Sequence, residues 1–207
     1  ENLVSRGASW RGGDSNPVRE WAPLPNTLPE VEHLAALMQE KKRQTTLLTG
    51  SNGSETAVKA HCTGATPPGI LHFATHGFFF EKNTAASGSL GLVAAENPMF
   101  RSGLILAGAN PAWRGQPGDS SPDDGILTAD EISLLPLRNT ALVVLSACET
   151  GLGDVHDDEG VYGLQRAFRL AGASTIVMSL WRVPDVQTRE FMEKFYAGLL
   201  ENGDTRG

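Results

Sequence analysis

Residues 142–145, LVVL, are apolar at four consecutive positions. Successive side chains of a strand face opposite sides of a sheet, so a strand with no polar position needs apolar cover on both sides. Helices flanking a parallel sheet provide it, and the chain alternates such strands with helical segments. Thr27-Leu-Pro-Glu30 has the residues of a capping box, followed by Val31, Leu34, Leu37 and Met38 at helical spacing to about Arg43. Residues 45–50 (TTLLTG) read as a strand, 54–61 as a helix, and 69–77 (GILHFATHG) and 102–108 (SGLILAG) as strands. Thr128 with Glu131 opens a short helix by the same capping logic. A strand at 140–148, a helix at 160–172 ending on Gly172, a strand at 174–181 and an amphipathic helix at 186–200 follow. In that last helix Phe191, Phe195 and Leu199 read as the core stripe. The expected fold class is α/β, with a mainly parallel sheet covered on both faces.

Residues 1–26 hold Gly, Asn, Ser and Pro among every short apolar run and read as an irregular arm or linker, with at most one short strand near Val18–Ala22. Residues 27–207 are of a size for one domain with its own core. Segments 81–101 and 110–125 read as loops; in such folds, loops after the carboxyl ends of strands build the site. Acidic residues outnumber basic ones 24 to 17, a net charge of -7, which argues against nucleic acid, an anionic membrane surface or acidic partners. Two cysteines, Cys62 and Cys148, make no disulfide framework, and a reducing, cytoplasmic setting is expected. No apolar run is long enough to span a bilayer. The chain starts without Met, so a fragment of a longer protein is expected.

Two apolar strands end in reactive residues: FATHG delivers His76 followed by Gly77, and VVLSAC delivers Cys148. In parallel neighbours both side chains fall on one rim. A thiol is a poor nucleophile until it is a thiolate, and an imidazole accepting its proton is the smallest sufficient activation. Gly77 has no Cβ to keep a substrate carbonyl away from the backbone N–H groups that stabilise an oxyanion. Alone, a strand-end cysteine is a small buried hydrophobe and a lone histidine a packed core residue. The pair, each closing an apolar strand, is what points to catalysis.

The motifs FATHGFF, LSACETGLG, DEGVYGLQRAF and SLWRVPD, in this order across residues 28–201, resemble the CHAT family, a bacterial branch of caspase-like cysteine peptidases often joined to TPR repeats. The resemblance implies a caspase-like three-layer α/β/α sandwich. It implies His76 as general base, Cys148 as nucleophile, and the backbone N–H groups of Gly77 and Cys148 as the oxyanion hole. The substrate would be a protein or peptide, no cofactor is implied, and a regulatory domain or partner such as TPR repeats is expected. Relatives usually carry one helix beyond the point where this sequence ends.

The segment Ser179–Asp185 resembles both caspases, in which a Ser-Trp-Arg stretch walls the specificity pocket, and separases, in which Trp-x-Val-x-Asp offers an acid to a basic side chain. Trp181, Val183 and Asp185 fit the separase pattern and favour cleavage after Arg or Lys. Arg182 departs from it and would favour an acidic side chain, and Asp185 has the further reading of an N-cap for the helix starting at Val186. The run Asp154, Asp157, Asp158, Glu159 reads as a solvated loop rather than a cation site, and His156, His61 and His33 lack ligand spacing, so no metal is expected. His72, inside a strand, is expected to be packed. The rival function, of a different class, is a catalytically silent peptide-binding module using the same groove.

Overall fold

The computed structural model describes residues 20–79, 98–114, 116, 123–146, 159–179 and 185–203. Two three-stranded sheets organise them. In the first, β1 (Ile70–Phe73), β5 (Leu142–Leu145) and β6 (Thr175–Met178) run parallel in the order β1-β5-β6. In the second, β2 (Gly77–Phe79), β3 (Ser102–Ile105) and β4 (Ile126–Thr128) run antiparallel in the order β2-β3-β4.

The central strand β5 has the two-sided burial that LVVL demands. Val143 and Leu145 join a core with Phe73, with Val58 and Cys62 of α2 (Glu55–Thr63), with Ile132 of α4 (Ala129–Ser133) and with Phe168 of α5 (Glu159–Ala171). Leu142 and Val144 face the other way, onto Leu34 of α1 (Thr27–Glu40) and Met192 and Tyr196 of α6 (Asp185–Gly203). Helix, sheet and helix thus form the α/β/α layering expected of a caspase-like fold. A third cluster, Trp21, Phe78, Ile105, Ala109, Trp113 and Ile126, packs on the antiparallel sheet.

Several elements depart from the sequence reading. The segment 69–77 is not one strand: β1 stops at Phe73, and Gly77 begins β2 in the other sheet. Segment 102–108 ends as a strand at Ile105 and pairs antiparallel with both neighbours. Residues 45–49 belong to no strand; Leu47 is exposed, and Leu48 alone of the pair packs on the core. Within 110–125, α3 (Ala109–Trp113) forms because Trp113 has the second sheet to pack on.

Of the two capping boxes, one forms. Thr128 accepts from the Glu131 N–H while the Glu131 carboxylate accepts from the Thr128 N–H, closing α4 as expected. At α1 the N-cap is Asn26, with no side-chain capping bond, and Thr27 donates instead to the Leu24 carbonyl at 2.8 Å. Glu30 does not reach back to the helix start, because its carboxylate is turned into the parallel sheet and is 1% exposed. The stripe of α6 is displaced in part: Phe195 packs half-buried on the core as expected, but Phe191 and Leu199 are exposed, while Met192, Tyr196 and Leu200 are buried. Gly172 ends α5 as expected, at φ +105°, where a Cβ would strike the Arg138 side chain at 2.8 Å.

Candidate functional site

The parallel register sets two chain ends side by side. Phe73 pairs with Leu145, and the Ser146 N–H extends the ladder by donating to the Phe73 carbonyl at 2.9 Å. His76 lies three residues beyond Phe73 in sequence, and Cys148 three beyond Leu145. Cys148 itself, with Trp181 and Arg182, lies outside the described residues. Asp185 is the first residue of α6 rather than the residue before it.

His76 occupies the junction of the two sheets. Thr75 Oγ1 donates to the Ile105 carbonyl, and the Ile105 N–H donates to the His76 carbonyl at 2.9 Å, anchoring the junction to β3. The imidazole is 8% exposed and donates its Nε2–H to the Ala22 carbonyl at 2.6 Å. That bond selects the tautomer with the proton on Nε2 and the basic lone pair on Nδ1. The Trp21 ring lies against it with centroids 5.0 Å apart. Trp21 is held at both backbone groups by one side chain: its N–H donates to Asn110 Oδ1 at 2.8 Å, and Asn110 Nδ2 donates to its carbonyl at 3.1 Å. Trp113 packs edge-on against both Trp21 and Phe78, at 5.0 and 5.4 Å. Gly103 admits this cluster, since a Cβ there would lie 2.7 Å from the Phe78 ring and 2.6 Å from the Leu127 carbonyl. A cavity of about 270 Å³ beside His76 is lined by Trp21, Ala22, Thr75, Gly108 and Asn110 among others.

Gly77 pairs with Leu104 in β3, whereas the neighbouring pair His76 and Ile105 carries the hydrogen bond. Hydrogen-bonded and non-hydrogen-bonded pairs alternate in an antiparallel ladder, so the Gly77 N–H points away from β3, toward the outer edge of β2. Sequence reasoning found His76 and Gly77 but not Trp21, Ala22 or Asn110. These act through backbone groups or from segments taken as arm and loop, and no spacing rule marks them.

A buried polar network lies behind the ends of β1 and β5. The Glu30 carboxylate accepts from Ser146 Oγ and from His72 Nε2, the latter at 2.8 Å. His72 Nδ1 meets the Tyr196 hydroxyl at 3.1 Å. With the His72 proton on Nε2, Tyr196 is the donor to Nδ1, and burial together with the nearby Glu30 charge pushes its phenol pKa upward.

A second charged cluster ties α2 to the segment entering β4 and to α4. Lys59 Nζ reaches Glu55 at 2.5 Å, Asp123 at 2.7 Å and Glu131 at 3.2 Å, and the second Glu55 oxygen accepts the Gly125 N–H at 2.9 Å. Burial pushes the Glu55 carboxyl up to about 7, with the neighbouring Glu131 charge acting in the same sense. Burial alone would lower the Lys59 pKa and raise that of Asp123, but the hydrogen bonds between them win in both, leaving Lys59 above and Asp123 below the ordinary value. Among the described residues no group of three or more His, Cys, Asp or Glu is arranged to hold a metal ion. Cys62 is fully buried, and burial raises its thiol to about 11, so it is a packing residue.

A family profile described as CHAT domain matches residues 12–206. Tetratricopeptide repeat protein 28 of Mus musculus is 42% identical over 76 residues, which is 36% of this chain and 3% of that protein. The Homo sapiens protein of the same name is 40% identical over 75 residues, again 36% of this chain and 3% of the relative. The matched region is therefore a small part of either relative. No solved structure matches.

Proposed function

Since the chain belongs to the CHAT family, which is related to the caspase-like cysteine peptidases, we propose that it is a cysteine endopeptidase with His76 as general base and Cys148 as nucleophile. The observation that carries this reading is the register of β1 and β5. From the paired residues Phe73 and Leu145, each chain runs three residues further to its reactive side chain. The bond from His76 Nε2 to the Ala22 carbonyl supports it, since it leaves Nδ1 to act as the base.

In the proposed reaction Nδ1 takes the Cys148 proton, and the thiolate adds to the scissile carbonyl carbon. Backbone N–H groups of Gly77 and Cys148 receive the oxyanion. The imidazolium then protonates the leaving amine as the C–N bond breaks, giving a thioester. His76 next takes a proton from water, whose oxygen displaces the Cys148 sulfur and releases the carboxylic acid. Trp181, Arg182 and Asp185 select the residue before the cut, with Asp185 favouring Arg or Lys by a charge-assisted pair. Tetratricopeptide repeats in the name of both relatives support regulation by an attached or partner repeat domain. No helix among the described residues is long and apolar enough to cross a membrane, and the proposed setting is the cytoplasm.

The test is cleavage of a peptide library by wild type, Cys148→Ala and His76→Ala, with cut bonds read by mass spectrometry. Cuts after Arg or Lys that vanish in both variants are expected. Cuts that persist in Cys148→Ala refute the dyad, and peptides that bind without being cut assign the domain to the silent recognition class.

A further inference from the structure

We infer that Glu30 is a positioning residue for this reaction, holding through Ser146 the backbone that leads to Cys148. The inference rests on the dyad reading above and adds to it a residue that the catalytic pair itself does not require. Ser146 is 2% exposed, and its N–H donates to the Phe73 carbonyl, one residue past the paired strands. Its hydroxyl is its second anchor, and that anchor is the Glu30 carboxylate. Two residues later in sequence comes Cys148.

The same carboxylate oxygen that accepts from Ser146 also accepts from His72, on the strand that leads to His76. His72 in turn contacts Tyr196 of α6, the helix opening at Asp185. One buried acid on α1 thereby ties together β1, β5 and α6, the three elements that lead to base, nucleophile and specificity segment. A charged acceptor suits this task, because hydrogen bonds to an ionised group are shorter and stronger than neutral ones and tolerate less displacement. A purely structural network would need to join these elements somewhere. This one has its Ser146 anchor two residues before the cysteine, where a displacement of about 1 Å lowers a rate by a factor on the order of a hundred.

The test measures iodoacetamide labelling of Cys148 by peptide mapping in the 207-residue chain, alongside kcat, KM and Tm, for wild type, His76→Ala, Ser146→Ala, Ser146→Thr and Glu30→Gln. Ser146→Ala removes one hydroxyl and leaves the bond between Glu30 and His72 in place. It is expected to slow labelling and kcat by about tenfold, the scale of losing a supporting hydrogen bond behind a reactive group, with KM near wild type. Ser146→Thr restores the hydroxyl and should recover most of the loss. Glu30→Gln keeps an acceptor but not the charge and should fall between. If Ser146→Ala and Glu30→Gln lower Tm but label and turn over like wild type, while His76→Ala slows labelling, the network is structural and the positioning role is refuted. If His76→Ala leaves labelling unchanged, the dyad fails and this inference falls with it.

Discussion

Replacing Lys59 by Met removes the cation that meets Glu55, Asp123 and Glu131 at 2.5, 2.7 and 3.2 Å. Methionine keeps the length and apolar stem of the side chain, so the perturbation is the charge. Glu55 and Glu131 are left with side chains 1% and 8% exposed, the first of them bonded to the Gly125 N–H. Removing one partner of a buried ion pair costs roughly 3–5 kcal/mol, and the 27% exposure of Lys59 sets the expectation at the low end, about 3 kcal/mol. In a domain of this size each kcal/mol moves Tm by about 2–4 °C, so a fall of roughly 6–12 °C is expected at neutral pH. The effect carries a pH signature. Glu55 holds its proton to about pH 7 in the folded state, against 4.5 as its ordinary value. The folded chain therefore binds more protons than the unfolded chain in that window, and wild-type stability falls as pH rises through it. Without Lys59 only the Gly125 N–H still opposes burial and the Glu131 charge among the causes acting on Glu55, so Glu55 rises further and the decline continues above pH 7. The gap between wild type and Lys59→Met should then be wider at pH 8.5 than at pH 5.5, read by urea titration at both. A gap of equal size at the two pH values, or one below about 1 kcal/mol as for an exposed pair, refutes the reasoning.

Glu55→Gln keeps an acceptor for Gly125 and abolishes the charge, so the slope of stability between pH 5 and 8 should flatten in a Tm series. Thr128→Ala breaks a formed capping box and should cost about 1 kcal/mol by denaturant titration. Met192→Ala in the buried stripe of α6 should cost about 2–5 kcal/mol, while Phe191→Ala on the exposed face should cost little; equal losses would return the stripe to its sequence-read position. Asp185→Asn should reduce cleavage after Arg relative to neutral residues, because Asn retains the side-chain shape without the charge, and an unchanged ratio would move the pocket to Arg182.

The layered fold was legible because LVVL is apolar on both faces and the helices around it carry clear periods. Local chemistry was ambiguous wherever two partners compete for one side chain. Thr27 to Glu30 has the same capping pattern as Thr128 to Glu131, yet Glu30 has His72 and Ser146 within reach and Glu131 has its own helix start. Nothing in four residues of sequence reveals a histidine 42 positions away. In α6, Phe191, Phe195 and Leu199 repeat at the same interval of four as Met192, Tyr196 and Leu200. Hydrophobicity alone favours the first set; the bond from Tyr196 to His72 accompanies burial of the second. For the candidate site, His76 and Gly77 were legible from the strand that precedes them. The Ala22 carbonyl was not, since any residue offers that group. The turn between the sheets was hidden as well, because GILHFATHG has no break to mark where one ladder ends and the next begins.

The central strand β5 has a neighbour on either edge and a packed core on either face. Such a strand offers sequence drift almost no room: a polar substitution at any of its four positions is buried, and a smaller one opens a void. Edge strands and surface helices around it accept changes one at a time, with compensation nearby. A lineage descending from this chain can therefore be expected to vary its arm, its loops and the outer faces of its helices long before LVVL changes. The nucleophile proposed just past that strand would inherit a support that neutral mutation reaches last, a durable place from which new substrates could evolve by altering only the surrounding loops.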